Sequence, residues 1–357
     1  MTRLKLRLAE HIRAHGPIGL DLFMQHCLTD PEDGYYMRRD PLGISGDFVT
    51  APEVSQVFGE LIGVFLAQSW LDRGAPSPFS LVEFGPGRGT LMTDALRATA
   101  TVPGFLESMK LSLLEVSPLL RQKQAQALEC HSPTWTDCIA DLPELPTFAV
   151  ANEYFDALPI KQFRRMGLGW QERLVDVSAS GAFRVIEAPV ADHSHLAPRL
   201  EDTRDGDIVE LRPLAENQIN AISERLLTKD GVLLIVDYGD WRSLGDTLQA
   251  LRTGQTADPT QDPGTADLTA HVDFEALTTA AKSAQGITTT RLTEQSVFLE
   301  RLGVTQRFRA LSEANPEQID QLSASYRRLT DPAEMGSIFK AMAIYRDGAP
   351  LPPGFVP

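Results

Sequence analysis

The apolar positions of the chain follow two periodicities, and their order predicts a layered α/β protein. Helical spacing dominates the N-terminal region, where Leu4, Leu8 and Ile12 share one helical face and residues 53–71 resume the pattern. Beyond residue 79, short apolar runs of strand length alternate with helix-like stretches. We expect these runs to form a mostly parallel, twisted sheet with helices on both faces, and they lie at residues 80–84, 111–115, 147–152 and 232–237.

Two later regions break this alternation. Residues 160–208 contain short runs separated by Ser180 and Gly181, which is typical of an antiparallel β insertion. Residues 239–270 are rich in Gly, Asp, Pro and Thr, and predict a long ordered loop over one face of the sheet. Two final runs predict an antiparallel pair at the sheet edge, at residues 287–292 and 339–345.

Composition and charge narrow the classes of function. With 357 residues, of which 43% are hydrophobic, the chain can bury a sizeable core. Its 33 Lys and Arg residues stand against 48 Asp and Glu residues, a formal net charge of −15. Because neutralising phosphates requires clustered cations, this balance disfavours nucleic acids and anionic membranes as partners. We expect neither nucleic-acid binding nor stable membrane insertion.

The cysteines and the N-terminal residues bear on the compartment. Cys27, Cys130 and Cys138 are an odd number without C-x-x-C spacing, which indicates free thiols and no zinc site. No apolar run approaches the roughly 18 to 20 residues that span a bilayer, and residues 1–15 lack a signal-peptide core. We therefore expect a bacterial cytoplasmic protein without a metal ion; a processed protein of the mitochondrial matrix is the alternative.

A glycine-rich turn follows the first predicted strand. Gly85, Gly87 and Gly89 allow the backbone to turn sharply and to approach a ligand closely, and the next helix offers its free N–H groups. Thr90 stands one position before the place where the dinucleotide fingerprint G-x-G-x-x-G has its third glycine filled, so the spacing here is G-x-G-x-G and argues against a nicotinamide cofactor. Glu83, just before the turn, can accept a hydrogen bond from an ammonium group.

Glu115 ends the next predicted strand, at the sheet edge where the glycine turn is expected. Its carboxylate can accept hydrogen bonds from both hydroxyls of a ribose, so the turn and this acid together predict a nucleoside-type cofactor. Asp141 follows a possible third strand. Two roles remain open for it, an adenine contact and a surface turn or helix cap.

Residues 152–159 follow the strand at 147–152, and we expect a short helix over residues 155–158. Glu153 and Asp156 are carboxylates that can align a nucleophilic nitrogen and accept its proton. Asp156 could equally cap the expected helix.

Acidic and aromatic side chains also end the last core strand and the long loop. Asp237 and Tyr238 lie at the same predicted edge of the sheet, and His271 and Asp273 come after the loop. His271 could act as a base near neutral pH, although a lone histidine also serves as a structural hydrogen-bonding residue.

Taken together, these segments resemble the MidA-like family of methyltransferases. The matches keep the family's order between residues 16 and 345, and the segments at 46–60 and 152–159 are much more particular than the widely shared glycine turn. The matching segments are residues 34–36, 46–60, 83–89, 152–159, 237–239, 245–249 and 266–274.

The resemblance implies a Rossmann-like class I methyltransferase domain over residues 76–357 that binds S-adenosyl-L-methionine (SAM). That domain would carry the insertion at 160–210 and the loop at 239–272, and residues 1–75 would form an N-terminal helical lid. The resemblance also implies a protein substrate that is methylated on arginine. Mitochondrial members of the family are complex I assembly factors that methylate a complex I subunit, so a complex I subunit is the implied partner.

The family pattern assigns roles to the residues at the predicted strand ends and in the N-terminal motif. Where similar sequences tend to carry a histidine, this chain has Gly254, which could alter the choice of acceptor. The predicted cofactor residues are Glu83, Gly85, Gly87, Gly89, Glu115, Asn152 and Asp141. The predicted catalytic residues are Glu153, Asp156, Asp47 and His271, and the predicted substrate-binding residues are Thr50, Glu53, Gln56, Tyr154, Asp237, Tyr238 and Asp273.

Two other functions fit the sequence. A methyltransferase acting on a small metabolite could use the N-terminal region and the insertion to enclose a compact pocket. A scaffold or assembly protein could bind SAM without essential catalysis, with its acidic surface engaging a partner. The sequence indicates no particular oligomeric state.

Overall fold

The computed structural model describes residues 2–38 and 49–357, which form α-helices, strands and short 3₁₀ turns. The helices are α1 (Arg3–His15), α2 (Leu20–Thr29), α3 (Tyr35–Arg38), α4 (Ala51–Val54), α5 (Gln56–Asp72), α6 (Thr90–Thr99), α7 (Phe105–Ser108), α8 (Pro118–Ala127), α9 (Pro213–Lys229), α10 (Phe274–Ser283), α11 (Gln295–Leu302), α12 (Val304–Ala314), α13 (Ile319–Thr330) and α14 (Met335–Ile338). The strands are β1 (Ile18–Gly19), β2 (Phe79–Phe84), β3 (Met109–Leu114), β4 (Thr134–Thr136), β5 (Thr147–Asn152), β6 (Lys161–Met166), β7 (Gly169–Val177), β8 (Phe183–Glu187), β9 (Ile208–Leu211), β10 (Gly231–Asp240), β11 (Gln249–Arg252), β12 (Gln255–Ala257), β13 (Asp267–Thr269), β14 (Val272–Asp273), β15 (Ile287–Thr289), β16 (Thr293–Glu294) and β17 (Phe339–Arg346).

The described chain divides into two compact units. The core unit comprises Val49–Phe155, Glu216–Trp241 and Asp273–Pro357. The accessory unit comprises the described residues of Met1–Phe48, with Asp156–Ala215 and Arg242–Val272. The predicted functional division at residue 75, between a lid and a cofactor domain, stays a prediction.

The core unit is built on a mostly parallel sheet with the order β15-β17-β10-β5-β2-β3-β4. Strands β2, β3, β5 and β10 pair in parallel, whereas β17 runs antiparallel to both β10 and β15. The chain proceeds from β2 to β3 and β4 on one side and then crosses to β5 on the other. The strand order therefore reverses between β2 and β5, and ligands of open α/β sheets bind at such a point.

Burial explains why these strands read as continuous apolar runs. Every residue of β5 is buried, because helices cover both faces of the sheet. On one face α5 packs closely against α6 through Gly59 and Gly63. A Cβ atom on Gly63 would lie only 2.7 Å from the Ala95 carbonyl oxygen, so this contact requires a glycine. The predicted α/β class and the closing antiparallel pair are confirmed.

The accessory unit combines N-terminal helices with antiparallel strands. Leu4, Leu8 and Ile12 of α1 are buried with Phe23 of α2 in one apolar cluster. Strands β6, β7, β8 and β9 pair antiparallel, as the insertion predicted. In the described chain, no helix is long and apolar enough to cross a membrane.

Two expected elements differ from the structure. The loop expected over residues 239–270 contains a small antiparallel sheet, in which β11 pairs with β12 and β13. The helix expected over residues 155–158 does not form, since residues 153–158 make a series of bends and turns. The loop expected over residues 35–52 begins with the short helix α3 and ends with the first residues of α4, and its middle lies outside the described residues.

Candidate active site

The candidate site of the core unit is formed by two turns that follow the neighbouring strands β2 and β5. Because the two strands run parallel, their carboxyl ends meet at one edge of the sheet. The first turn, Gly85–Gly89, is called the glycine turn below. The second, Asn152–Phe155, is called the acidic turn.

The glycine turn depends on backbone conformations that favour glycine. Gly85, Gly87 and Gly89 have φ values of 60°, 54° and 84°, all in the left-handed region. A Cβ atom on Gly85 would also lie 2.7 Å from Cδ2 of Tyr154, closer than real contacts allow. The turn is therefore closed on one side by the Tyr154 ring, and α6 begins at Thr90 directly after it.

Glu83 lies at the end of β2 with 3% of its surface exposed. Burial, together with the nearby charge of Glu115, raises the pKa of Glu83 to about 8. Within the described part of the chain, its Oε2 has no hydrogen-bond partner. A buried carboxyl oxygen without a donor is costly, so Glu83 fits a ligand that brings an ammonium or another donor.

Glu115 belongs to a hydrogen-bonded group beneath the glycine turn. Its Oε1 accepts from the Ser117 N–H at 2.7 Å, and its Oε2 accepts from Nε2 of Gln124 at 3.1 Å. The same Gln124 nitrogen donates to the Gly87 carbonyl at 2.7 Å, and Trp135 Nε1 donates to Gln124 Oε1 at 2.8 Å. Gln124 thus fixes the acid relative to the turn.

Sequence reasoning missed Gln124. The available signal was a glutamine in the helix after the Glu115 strand, and its complete burial could not be read from that pattern. Burial is also the main cause that raises the pKa of Glu115, against the lowering effect of its donors.

The acidic turn places Glu153 in a conformation that is rare for this residue type. Its φ is 49°, in the left-handed region, directly after the last residue of β5. Its Oε1 accepts from the Ala51 N–H at 2.9 Å and from Nδ2 of Asn152 at 3.1 Å. Burial raises the pKa of Glu153 to about 7, although both donors favour the carboxylate form. Backbone strain at a buried acid is typical of functional sites.

Asp237 holds the acidic turn from the neighbouring strand β10. Its Oδ2 accepts from the N–H groups of Tyr154 at 3.2 Å and Phe155 at 2.9 Å, and its Oδ1 accepts from that of Tyr238 at 2.9 Å. Asp237 is fully buried. It was predicted to bind substrate, but these contacts are with the backbone and give it a positioning role.

Tyr154 backs the glycine turn. Its ring packs edge to face against Phe84, with centroids 5.6 Å apart, and its hydroxyl accepts from Nε2 of Gln218 at 2.9 Å. Burial raises its pKa to about 12. The tyrosine is therefore neutral at physiological pH, and its contacts lie with the turn.

The N-terminal motif contributes helix α4 to the same edge of the sheet. Thr50 is the N-cap residue of α4, and Gln56 is exposed at the start of α5. Glu53 accepts from the Thr90 hydroxyl at 2.6 Å and pairs with Arg88 at 3.8 Å. The predicted catalytic residue Asp47 lies outside the described residues.

Three other predicted residues of the core unit have local structural contacts. Asp273 caps α10 by accepting from the Ala276 N–H at 2.8 Å. The Tyr238 ring packs on Phe339 with centroids 5.8 Å apart. Asp141 is exposed at the end of the 3₁₀ turn Ile139–Asp141.

Asp156 and His271 belong to the accessory unit. The Asp156 carbonyl accepts from the Ala270 N–H at 3.0 Å, and the His271 N–H donates to Oγ1 of Thr247 at 2.9 Å. Arg212 donates to the carbonyls of Ala270 and His271 at 2.9 and 3.2 Å, and so fixes the backbone of this segment. The predicted catalytic roles of Asp156 and His271 stay predictions.

The residues of the core unit fit a nucleoside with a cationic tail. The glycine turn and the N-terminus of α6 offer backbone N–H groups, and Glu115 lies at the end of the adjacent strand. Glu83 Oε2 and Asn152 Oδ1 are buried oxygens that lack a hydrogen-bond donor among the described residues. Fold and site together define a Rossmann-like enzyme that uses a nucleoside cofactor.

Comparison with known proteins identifies that class more closely. Residues 61–293 match the family described as S-adenosyl-L-methionine-dependent methyltransferase. A protein of Burkholderia thailandensis crystallised with S-adenosyl-homocysteine superposes with a TM-score of 0.85 and 27% identity, over 98% of this chain and 93% of that one.

Curated relatives extend over almost the whole chain. The mitochondrial protein arginine methyltransferase NDUFAF7 homolog of Drosophila melanogaster is 36% identical over 95% of this chain and 84% of the relative. Human protein arginine methyltransferase NDUFAF7, also mitochondrial, is 34% identical over 96% of this chain and 83% of the relative. The chain belongs to this family of SAM-dependent methyltransferases, as the resemblance of its motifs predicted, and its cofactor is SAM.

Proposed function

We propose that this protein transfers a methyl group from SAM to a guanidinium nitrogen of an arginine in a protein substrate. The observation that carries the proposal is the acidic turn, where Glu153 is held in left-handed backbone with its pKa raised to about 7. Its relatives from fly and human are named protein arginine methyltransferases and align over nearly the whole chain. An acid at the end of β5 suits a cationic acceptor.

The cofactor side of the site would hold SAM through backbone and carboxyl groups. We assign the SAM ammonium to Glu83, whose Oε2 lacks a donor, and the ribose hydroxyls to Glu115. The glycine turn would approach the cofactor with its backbone, since it carries no side chains at Gly85, Gly87 and Gly89. When bound, SAM supplies a methyl group on a positively charged sulfur.

The acidic turn would act on the acceptor. As a carboxylate, Glu153 can accept hydrogen bonds from the guanidinium fork and offset its charge. Because a guanidinium has a pKa above about 12, its proton is lost during or after methyl transfer, not before it. Glu153 is suited to receive that proton, and the methylated guanidinium then keeps its single positive charge. Positioning and electrostatics supply most of the rate.

Asp156 and His271 complete the proposed machinery on the accessory side, and Asp47 belongs to the same proposal. For the acceptor protein, the family resemblance favours a subunit of respiratory complex I. The relatives are mitochondrial proteins, and the compartment of this chain follows from its host.

Methyl transfer to a defined residue type tests the proposal. Purified protein is incubated with methyl-tritiated SAM and a set of peptides that carry one arginine or, in matched copies, one lysine. A second reaction contains free arginine. Acid hydrolysis and chromatography of the labelled peptides should yield methylarginine, and label should be absent from the lysine copies.

The Glu153→Gln variant serves as the control for adventitious activity. Label on free arginine but on no peptide would replace the proposal with a small-molecule methyltransferase. Binding of SAM without label on any acceptor, in an extract of cellular proteins as well, would favour a scaffold protein.

A further inference from the structure

Helix α4 is held at both ends by groups from the two sides of the candidate site. At its first residue, the Ala51 N–H donates to Oε1 of Glu153 at 2.9 Å. One turn later, Glu53 accepts from the Thr90 hydroxyl at 2.6 Å, at the position where α6 begins after the glycine turn. The acidic turn and the glycine turn are therefore joined through four residues.

The bond between Glu53 and Thr90 has electrostatic support. Arg88, inside the glycine turn, pairs with the other oxygen of Glu53 at 3.8 Å. A carboxylate is also favoured near a helix N-terminus, where the free N–H groups carry partial positive charge. Glu53 is mostly enclosed, with 17% of its side chain exposed, so these interactions are only partly screened by water.

Helix α4 cannot hold this position by its own stability. It has four residues, and an isolated helix of one turn does not form in water. Its placement depends on burial of Ala51 and Pro52, on the Ser325 hydroxyl that donates to the Val54 carbonyl at 3.2 Å, and on the contacts with Glu153 and Thr90. Loosening one of these contacts should therefore displace the others.

We propose that Glu53 is a positioning residue that couples the two turns: through Thr90 it holds the glycine turn for SAM, and through Ala51 it holds the Glu153 carboxylate for the acceptor. The inference rests on the proposed function for the acceptor side, while its cofactor side needs only SAM binding. It assigns Glu53 a role at the turn in place of the substrate contact that the sequence predicted.

The first test measures SAM affinity by calorimetry in Thr90→Val, Thr90→Ser and Glu53→Gln. Thr90→Val keeps the shape but removes the donor, and we expect the Kd for SAM to rise about fivefold, the effect of one lost hydrogen bond. Thr90→Ser retains the hydroxyl and should restore the wild-type Kd. Thr99→Val is the matched control, because its hydroxyl bonds only to carbonyls of its own helix.

A double-mutant cycle separates coupling from general damage. If Glu53 and Thr90 act through one bond, the Kd of Glu53→Gln/Thr90→Val should be close to that of either single variant. Multiplicative effects on Kd would overturn the proposal. So would a wild-type Kd in Thr90→Val, with or without a lower unfolding temperature, since a merely structural role would leave SAM binding unchanged.

The second test reads the acceptor side without using methyl transfer. The Ala51 N–H lowers the pKa of Glu153, so loosening α4 should raise that pKa. Carbon-13 NMR of the glutamate carboxyls, assigned with Glu153→Gln, should show this upward shift in Thr90→Val and not in Thr99→Val. An unshifted Glu153 would overturn the coupling. Failure of the arginine assay with a normal SAM Kd would instead count against the proposed function alone.

Discussion

The glycine turn and the acidic turn occupy equivalent places after neighbouring strands, yet they reach left-handed backbone in opposite ways. The glycine turn uses residues for which positive φ carries no steric cost. The acidic turn puts Glu153 in that region and secures it from outside, since Asp237 accepts from the two N–H groups that follow.

The difference separates two kinds of work. A turn without side chains presents backbone to a cofactor and can be recognised from its residues alone. A strained turn holds one side chain in a fixed place and needs support from distant parts of the chain. We infer that the glycine turn serves binding of SAM and the acidic turn serves transfer.

The largest expected effect comes from Glu153→Gln. Glutamine keeps the shape and can still accept from the Ala51 N–H, but it brings no negative charge and cannot take a proton. We expect kcat to fall by about 10² to 10⁴, measured as initial rates at saturating SAM and peptide. Glu107→Gln, an exposed glutamate on α7, is the matched control. A wild-type kcat in Glu153→Gln would remove this residue from the mechanism.

Gly85→Ala should break the glycine turn next. The new Cβ would combine a left-handed backbone with a contact of 2.7 Å to Tyr154, and we expect a loss of about 2 to 4 kcal/mol in unfolding free energy by urea denaturation. Gly74→Ala isolates the backbone part, because Gly74 has φ 80° and open space around its Cβ position. Equal losses in the two variants would show that Tyr154 moves aside without cost.

Asp237→Asn tests the support of the acidic turn. The amide of asparagine would face backbone N–H groups in place of an acceptor, and about 1 to 3 kcal/mol of stability should be lost. We expect kcat to fall while the Kd for SAM stays near the wild-type value. Asp240→Asn changes an exposed residue of the same strand and should leave both quantities unchanged. A larger effect on Kd than on kcat would contradict the separation of the two turns.

The smallest expected effect is a proton released from Glu83. Its pKa of about 8 means that the carboxyl is neutral at pH 6.5 in the free protein. A bound cation favours the ionised form and lowers that pKa, so SAM binding should release up to about one proton and affinity should rise with pH towards 8. Calorimetry at pH 6.5 in buffers of different ionisation enthalpy measures the release. Glu83→Gln should abolish it, and release that persists in this variant would place the titrating group elsewhere.

The sequence was sufficient for the parallel strands and for the glycine turn. Strands β2, β5 and β10 are buried on both faces and so appear as uninterrupted apolar runs. The small sheet within residues 239–270 was missed, because strands of three or four residues among Gly, Asp and Thr have no readable period.

The acidic turn shows where local patterns stop being informative. A helix was expected after β5, but the N–H groups of Tyr154 and Phe155 are bound by Asp237, more than eighty residues away in sequence. The contact of Glu53 with Thr90 is also long-range, so its residues were identified while its partner was not. Side chains that act through other residues are visible only once the fold brings them together.

Calorimetric titration of SAM into the wild type, Gly85→Ala and Glu153→Gln tests the separation of the two turns most directly. We predict binding by the wild type, the same Kd for Glu153→Gln, and loss of binding in Gly85→Ala under conditions where that variant remains folded. Loss of SAM binding in folded Glu153→Gln to the same degree as in Gly85→Ala would contradict the account, since both turns would then serve the cofactor.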